Sequence, residues 1–538
     1  MEYRHFGVML DCSRNQVMNV NSLKRFIDCL VKMGYNTLEL YTEETYEVNN
    51  EPYFGYMRGR YSKEEIKEID RYCLSKGVEL IPCIQTLAHL NNLTKIPAYS
   101  GMFDINDILL IDDERTYKLI DNMFSTLAEC FTTRLCNIGM DEAHMMGLGK
   151  YLDLHGFTNR NELFIKHLNK VAEIAKKYGF NCHMWSDMFF RLNNHGQYCL
   201  KDPVLPLESV SKLPDNISLT YWDYYNKDFE MYDAMFAAHN KLGRPVWFAG
   251  GAWTWMGIVP KNEFSLITME PAMKAVKKNN IENVLMTMWG DNGHECSPFS
   301  VLPSLYYIRR IADGEIDVNK IKEGFEKLFG IAFDDFMKID VVDHLPKNVK
   351  RGIVNWSNPS KPLLYNDPFI GIYDKILESK GHIPFDEYAK EVEPLTHNKD
   401  FGYIFDPIYK LALTLSVKAE LGLKTREAYD AKDKDALRKL ANEDYTKCIE
   451  LFKDFYKSFK ARWMKDAKAF GFEIQDHRLG GTIARIESCK ETLLQYVDGL
   501  IPSIDELEET QLDVWERDED GTFFGGNQFV KFISPSDI

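Results

Sequence analysis

Long apolar runs, cysteine pairs and any surplus of basic charge are all missing from this 538-residue chain. No stretch approaches the ~20 apolar residues that a membrane-spanning helix needs. The amino terminus, MEYRHFGVMLDCSRN, offers only Phe6 to Leu10 before Asp11 interrupts it, so no secretory leader is expected. The 11 cysteines are odd in number, scattered and without a CxxC pair, and Cys83, Cys136 and Cys182 fall inside apolar runs. Reduced thiols in a cytoplasmic protein are therefore expected, rather than disulfides or a metal site. Lys and Arg number 65 against 81 Asp and Glu, a formal net charge of −16, which disfavours nucleic acid and anionic membranes as partners. A neutral ligand suits this balance better.

What is present is a folded chain with an ample core: 45% hydrophobic and 13% aromatic residues, over a length that calls for more than one compact body. From His5 onward, short apolar runs alternate with longer amphipathic stretches, the pattern of βα units. Strands are expected over 5–10, 36–41, 79–84, 135–139, 181–185, 217–222, 245–249 and 283–289. Helices are expected over 21–32, 63–76, 114–131, 160–178, 229–242 and 270–278, several closing near a glycine, as in KMGYN, SKGVE and KYGFN. Eight such units predict an α/β fold, a (β/α)8 TIM barrel over residues 1–310. An open doubly wound sheet is the alternative, but no GxGxxG follows the first strand. Past 311 the spacing turns helical over 317–328, 405–421, 433–463 and 481–497, which predicts a mainly α-helical C-terminal domain, 311–538. Its tail from 505, acidic and then rich in Gly and Phe, is expected to be an extended wrap or a mobile end.

In a parallel barrel, functional groups come from the carboxyl ends of the strands. Those positions carry Asp11 and Arg14; Glu43 and Glu44; His89, Asn91 and Asn92; Asp141, Glu142 and His144; Trp185 and Asp187; Trp222, Asp223, Tyr224 and Tyr225; Trp253 and Trp255; Trp289, Asp291 and His294. Each has an ordinary alternative: an Asp-Glu pair starts many helices, a Trp can plug a barrel, and a His can be a satisfied core residue. Their recurrence at successive strand ends is what points to a site. Flat rings stack on sugar C–H faces, and charged acceptors take pairs of hydroxyl hydrogens, so carbohydrate is the partner this set suits.

The motifs FGVMLDCSR, GVELIPCIQTLAH, NIGMDEAH, HMWSD, YWDYY and MTMWGD resemble family 20 glycoside hydrolases, the β-N-acetylhexosaminidases. The likeness extends over 6–92 and 135–296 and is to the smaller, barrel-first type without the usual N-terminal α/β domain. It implies an exo-acting, retaining enzyme that removes terminal β-GlcNAc or β-GalNAc without metal or cofactor, the substrate's own acetamido oxygen acting as nucleophile. Asp141 would orient the acetamido group and steady the oxazolinium ion. Glu142 would protonate the leaving oxygen and then activate water, and His89 or His144 would support a carboxylate. Arg14 is implied to hold the sugar's 3- and 4-hydroxyls and Asp291 the 4- and 6-hydroxyls, with Glu43 assisting. Trp185, Trp222 and Trp289 would box the acetamido group, and Trp253 would serve as pocket wall or aglycone platform. One departure is plain: the family usually supplies a Tyr near strand seven, and PVWFAGGAWTWMG has none. Tyr224 or Tyr225 is expected to replace it, with Tyr225 the first choice. An O-GlcNAcase-like enzyme or a sugar-binding barrel without catalysis are the alternatives.

Overall fold

Each of the eight apolar runs becomes a strand in the computed structural model, which describes residues 2–345 and 358–514. The strands are β1 (His5–Asp11), β2 (Thr37–Tyr41), β3 (Glu79–Cys83), β4 (Leu135–Asn137), β5 (Asn181–Trp185), β6 (Ile217–Trp222), β7 (Val246–Gly251) and β8 (Asn283–Met288). All pair in parallel, in the order β1-β8-β7-β6-β5-β4-β3-β2, and β1 closes the barrel by pairing with β2 on one side and β8 on the other. Closure draws β1 and β2 together at Gly7, where a Cβ would lie 2.7 Å from the Thr37 side chain and carbonyl oxygen. Burial on both faces explains why these strands read as continuous apolar runs instead of alternating ones. Inside the barrel, Ile81, Trp247 and Leu285 pack together. Below the strand ends, His183 stacks flat on Trp247 at 4.2 Å, with its Nε2 2.9 Å from Glu39.

Local signals set the helices. Asn19 caps Val20–Met33 by accepting the Ser22 N–H, and left-handed Gly34 ends that helix. A capping box between Ser62 and Glu65 starts Lys63–Ser75, and Asp113 caps Glu114–Cys130. One helix differs from expectation: it runs over Asn262–Lys278, with Pro271 inside it, instead of starting near 270. A small antiparallel hairpin, Phe103–Ile105 with Ile108–Leu109, interrupts the loop after β3 and was not legible as strand.

The chain packs as two compact units. The first holds the barrel: the described residues up to Ala252, then Ser265–Trp289 and Ser304–Ile321. The second takes in Trp253–Phe264, Gly290–Pro303 and the described residues from Lys322 onward. Its helices Gly402–Lys418 and Thr446–Asp466 bury residues at a spacing of three and four, Ile404, Ile408, Leu411 and Leu415 in one, Phe452, Phe455, Phe459 and Trp463 in the other. A third long helix, Phe472–Val497, begins earlier than its periodicity suggested. Within this unit Glu295 is buried between two cations, 2.5 Å from Lys361 Nζ and 3.1 Å from Arg478 Nη1. Burial opposes its charge, yet Lys361 and Arg478 hold its carboxyl below the usual range. All eleven cysteines are free, and ten are buried. Of the tail expected from 505, Asp505–Glu508 forms a short helix, and the part beyond 514 lies outside the described residues.

Candidate active site

Where β4 ends, the backbone turns sharply: Gly139, Met140 and Glu142 all have positive φ, at 71°, 70° and 51°. Only glycine fits at 139, because a Cβ would sit 2.1 Å from the Gln85 side-chain oxygen. Left-handed residues other than glycine cost on the order of 1–3 kcal/mol each and persist where surroundings over-determine them. The turn divides the two acids. Asp141 is only 8% exposed, while Glu142 is an exposed residue. Asp141 Oδ1 accepts a hydrogen bond from Gln85 Nε2 at 2.8 Å, and its Oδ2 lies 3.2 Å from His89 Nε2. Burial opposes both charges. Their mutual attraction outweighs it, lowering the Asp141 pKa and raising that of His89 to about 10. The pair is therefore ionic from the acidic range, where Asp141 loses its proton, up to about pH 10, where His89 loses its own.

Gln85 links this pair to the end of β1. Its amide also donates to the Tyr41 hydroxyl at 3.0 Å, and that hydroxyl donates to Glu43 Oε1 at 2.8 Å. Glu43, itself at φ 44°, lies 3.3 Å from Arg14 Nε, and Arg14 Nη1 donates to Asp11 Oδ2 at 3.0 Å. Burial pushes the Glu43 carboxyl up to about 7 against the pull of Arg14. The Arg14 guanidinium lies over two rings, 4.9 Å from Tyr41 and 5.1 Å from Trp289.

Aromatic side chains complete the wall. Trp289 meets Tyr41 edge-on at 4.7 Å and Trp185 at 5.9 Å, and Trp222 stacks on Tyr224 at 5.3 Å. Tyr224 is buried, and that burial, with the charge of Asp141 adding to it, holds its hydroxyl well above its ordinary pKa. Trp185 is buried, and its indole N–H has no hydrogen-bond partner among the described residues. Tyr225 is 53% exposed, with its ring tilted 5.9 Å from that of Tyr224. After β5, Asp187 accepts the Glu142 backbone N–H and the Arg191 Nε–H on one oxygen, each at 3.2 Å. Burial, then the charge of Asp141, pushes the Asp187 carboxyl up to about 7.

Of the residues singled out from the sequence, Arg14, Glu43, His89, Asp141, Glu142, Trp185, Trp222, Tyr224 and Trp289 thus join one network of contacts at the strand ends. His144 is exposed, and Glu44 turns to Arg58 at 2.9 Å. Trp253 and Asp291 belong to the second unit. There, Trp253 is wholly buried against Trp255 at 4.3 Å and Phe264 at 4.8 Å, and Asp291 sits on the turn that follows Trp289. Sequence reasoning passed over Gln85, Tyr41 and Arg191. The first lies two residues past β3, and the last is one helical turn beyond Asp187, a spacing that brings acid and base together. Among the described residues no cluster of three or more His, Cys, Asp or Glu could hold a metal ion, and no helix is long and apolar enough to cross a membrane.

A family model described as the catalytic domain of glycosyl hydrolase family 20 matches residues 3–235, and one described as the Glycoside Hydrolase 20C C-terminal domain matches residues 334–524. A Hexosaminidase D from Bos taurus is 26% identical over 188 residues, 32% of this chain and 51% of that protein. A beta-hexosaminidase from Akkermansia muciniphila is 24% identical over 170 residues, 26% of this chain and 34% of that protein. The chain spans about half, or less, of the length of the curated relatives it matches. Among solved structures, a GH20 exo beta-N-acetylglucosaminidase from Vibrio harveyi in complex with N-acetylglucosamine aligns over 61% of this chain and 58% of that one, with 16% identity and a TM-score of 0.47.

Proposed function

The chain belongs to glycoside hydrolase family 20, and from that premise we propose that it is an exo-acting, retaining β-N-acetylhexosaminidase working by substrate assistance. The observation that carries this reading is the split acid pair: Asp141 buried and held ionic by His89 and Gln85, Glu142 next to it and open to solvent. An enzyme whose aspartate were the nucleophile would need that oxygen free to attack. Here both Asp141 oxygens are engaged, which suits a carboxylate that accepts an amide N–H and faces a developing positive charge.

The chemistry follows in two steps. The acetamido oxygen bonds to the anomeric carbon as the bond from that carbon to the leaving oxygen breaks, and Glu142 gives its proton to the leaving oxygen. The positive oxazolinium that results is balanced by ionised Asp141. Water then adds to the anomeric carbon, Glu142 takes a proton from it, and the ring opens to restore the amide with the original β configuration. Trp185, Trp222 and Trp289 would press the acetamido group into this geometry and keep competing water out. Tyr224, buried beside Trp289 and within reach of the Asp141 charge, suits the acetamido contact better than exposed Tyr225. Arg14 and Glu43 would take ring hydroxyls. Paired chromogenic β-GlcNAc, β-GalNAc and β-glucoside substrates test the whole reading. Release from both acetamido sugars and none from the glucoside is expected, and equal turnover of the glucoside would reject substrate assistance.

A further inference from the structure

Glu142 has a neighbour that the split-pair reading does not use. Arg191 stands on the short helix Asp187–Asn193 that follows β5. Its Nε–H donates to Asp187 Oδ2, the oxygen that also accepts the Glu142 backbone N–H. Its Nη2 lies 4.0 Å from Glu142 Oε1, while His89 Nε2 lies 3.8 Å from Glu142 Oε2. The carboxyl of Glu142 thus rests between two cations, one facing each oxygen, and both stand beyond hydrogen-bond distance. The guanidinium also lies 5.7 Å from the Tyr198 ring and 5.8 Å from the Trp222 ring, so it ties the acid to the aromatic wall. Its remaining nitrogen donates to the Gly196 carbonyl at 3.1 Å.

The ordinary account is an i,i+4 ion pair that stabilises a short helix, and the Arg191–Asp187 contact alone would fit it. Three features exceed that account. Asp187 is fully buried, Arg191 reaches past it to Glu142, and Glu142 holds a left-handed backbone that Asp187 pins through its N–H. A rigid, planar cation stacked on rings loses little freedom when it also orients a carboxyl.

We infer that Arg191 is a positioning residue for the proton donor: through Asp187 it fixes the Glu142 backbone, and through its own charge it holds the Glu142 carboxyl on the leaving-group side of the Trp222 wall. The inference rests on the reading of Glu142 as acid and base. While Glu142 is ionised, between donation to the leaving oxygen and removal of a proton from water, Arg191 keeps the carboxylate in place without taking the proton itself.

The test uses the full chain and a series of aryl β-N-acetylglucosaminides whose phenols run from strongly to weakly acidic, with kcat/KM measured for each. A misplaced acid hurts poor leaving groups most, because good ones depart without help. Arg191→Met is expected to lose about ten-fold more on the poorest leaving group than on the best, and Arg191→Lys, which keeps charge but not the fork, to fall between it and the parent. Glu142→Gln should give a steep dependence of the same sign. A loss that is equal across the series in Arg191→Met, with Glu142→Gln steep, would assign Arg191 to structure alone and overturn the inference. A flat series in Glu142→Gln would instead overturn the acid role on which it rests. Should Arg191→Met not fold, Arg191→Gln is read against the same two outcomes.

Discussion

Asp141 in the barrel and Glu295 in the helical unit are both buried carboxylates held below their ordinary pKa by cations, yet their surroundings differ in kind. Glu295 is gripped by Lys361 and Arg478 at 2.5 and 3.1 Å, and all three side chains are sealed from solvent. Asp141 has one cation at 3.2 Å and an amide, and its sequence neighbour Glu142 is exposed, loosely flanked by cations at 3.8 and 4.0 Å, on a backbone that only its surroundings make tolerable. A depressed carboxyl therefore does not by itself mark a site. What marks one is a charge that is fixed while the group beside it is left free to exchange a proton.

That contrast can be broken at either end. The largest effect is expected from Glu295→Gln, which leaves Lys361 and Arg478 buried without their anion; stranding a buried charge costs on the order of 3–5 kcal/mol, read as a lower midpoint in urea unfolding. Asp141→Asn should differ in kind: it breaks the pair with His89, which can shed its proton, so the midpoint falls less than in Glu295→Gln, while kcat falls about 10²–10³-fold, the scale of losing one preorganised electrostatic contact. Were both changes to act on stability alone, the distinction drawn above would fail. Next in size, Tyr224→Phe should lower kcat by about ten-fold or more and Tyr225→Phe by less than two-fold, with aryl glycoside turnover deciding which tyrosine meets the acetamido group.

The smallest effect concerns pH. Asp187 titrates near 7 when folded and near its ordinary value, about 4, when unfolded, so the folded state holds the extra proton between those values. Stability contributed by that proton is present at low pH and is lost as pH rises towards 7. Asp187→Asn should therefore flatten the decline of Tm between about pH 4 and pH 7 by a few degrees, measured by calorimetry across that range.

Much of this was legible before any coordinates. Each of the eight strands falls within about two residues of its apolar run, since a strand buried on both faces leaves an unbroken signal. The Asp-Glu pair and the tryptophans stood out because barrel geometry makes strand ends a short list to inspect. Gln85 did not stand out. An amide carries no charge and recurs on any surface, and its worth lies in offering two N–H groups to Tyr41 and Asp141, which are 44 and 56 residues away. Trp253, expected by the same strand-end rule as pocket wall or aglycone platform, is buried on Trp255 and Phe264 in the second unit. Its segment and Gly290–Pro303 pack with residues beyond Lys322, and no local periodicity records a partner that distant.

Composition and spacing by themselves determined the βα alternation, the helical second half and the acids and indoles that follow the strands, because these depend on residues a few positions apart. Only the tertiary structure decided which acid is held and which is open, which tyrosine stands near the charge, and that Arg191 reaches Glu142. Such pairings arise when loops from different strands meet, and distance in space, not order along the chain, sets the strength of a charge or a hydrogen bond.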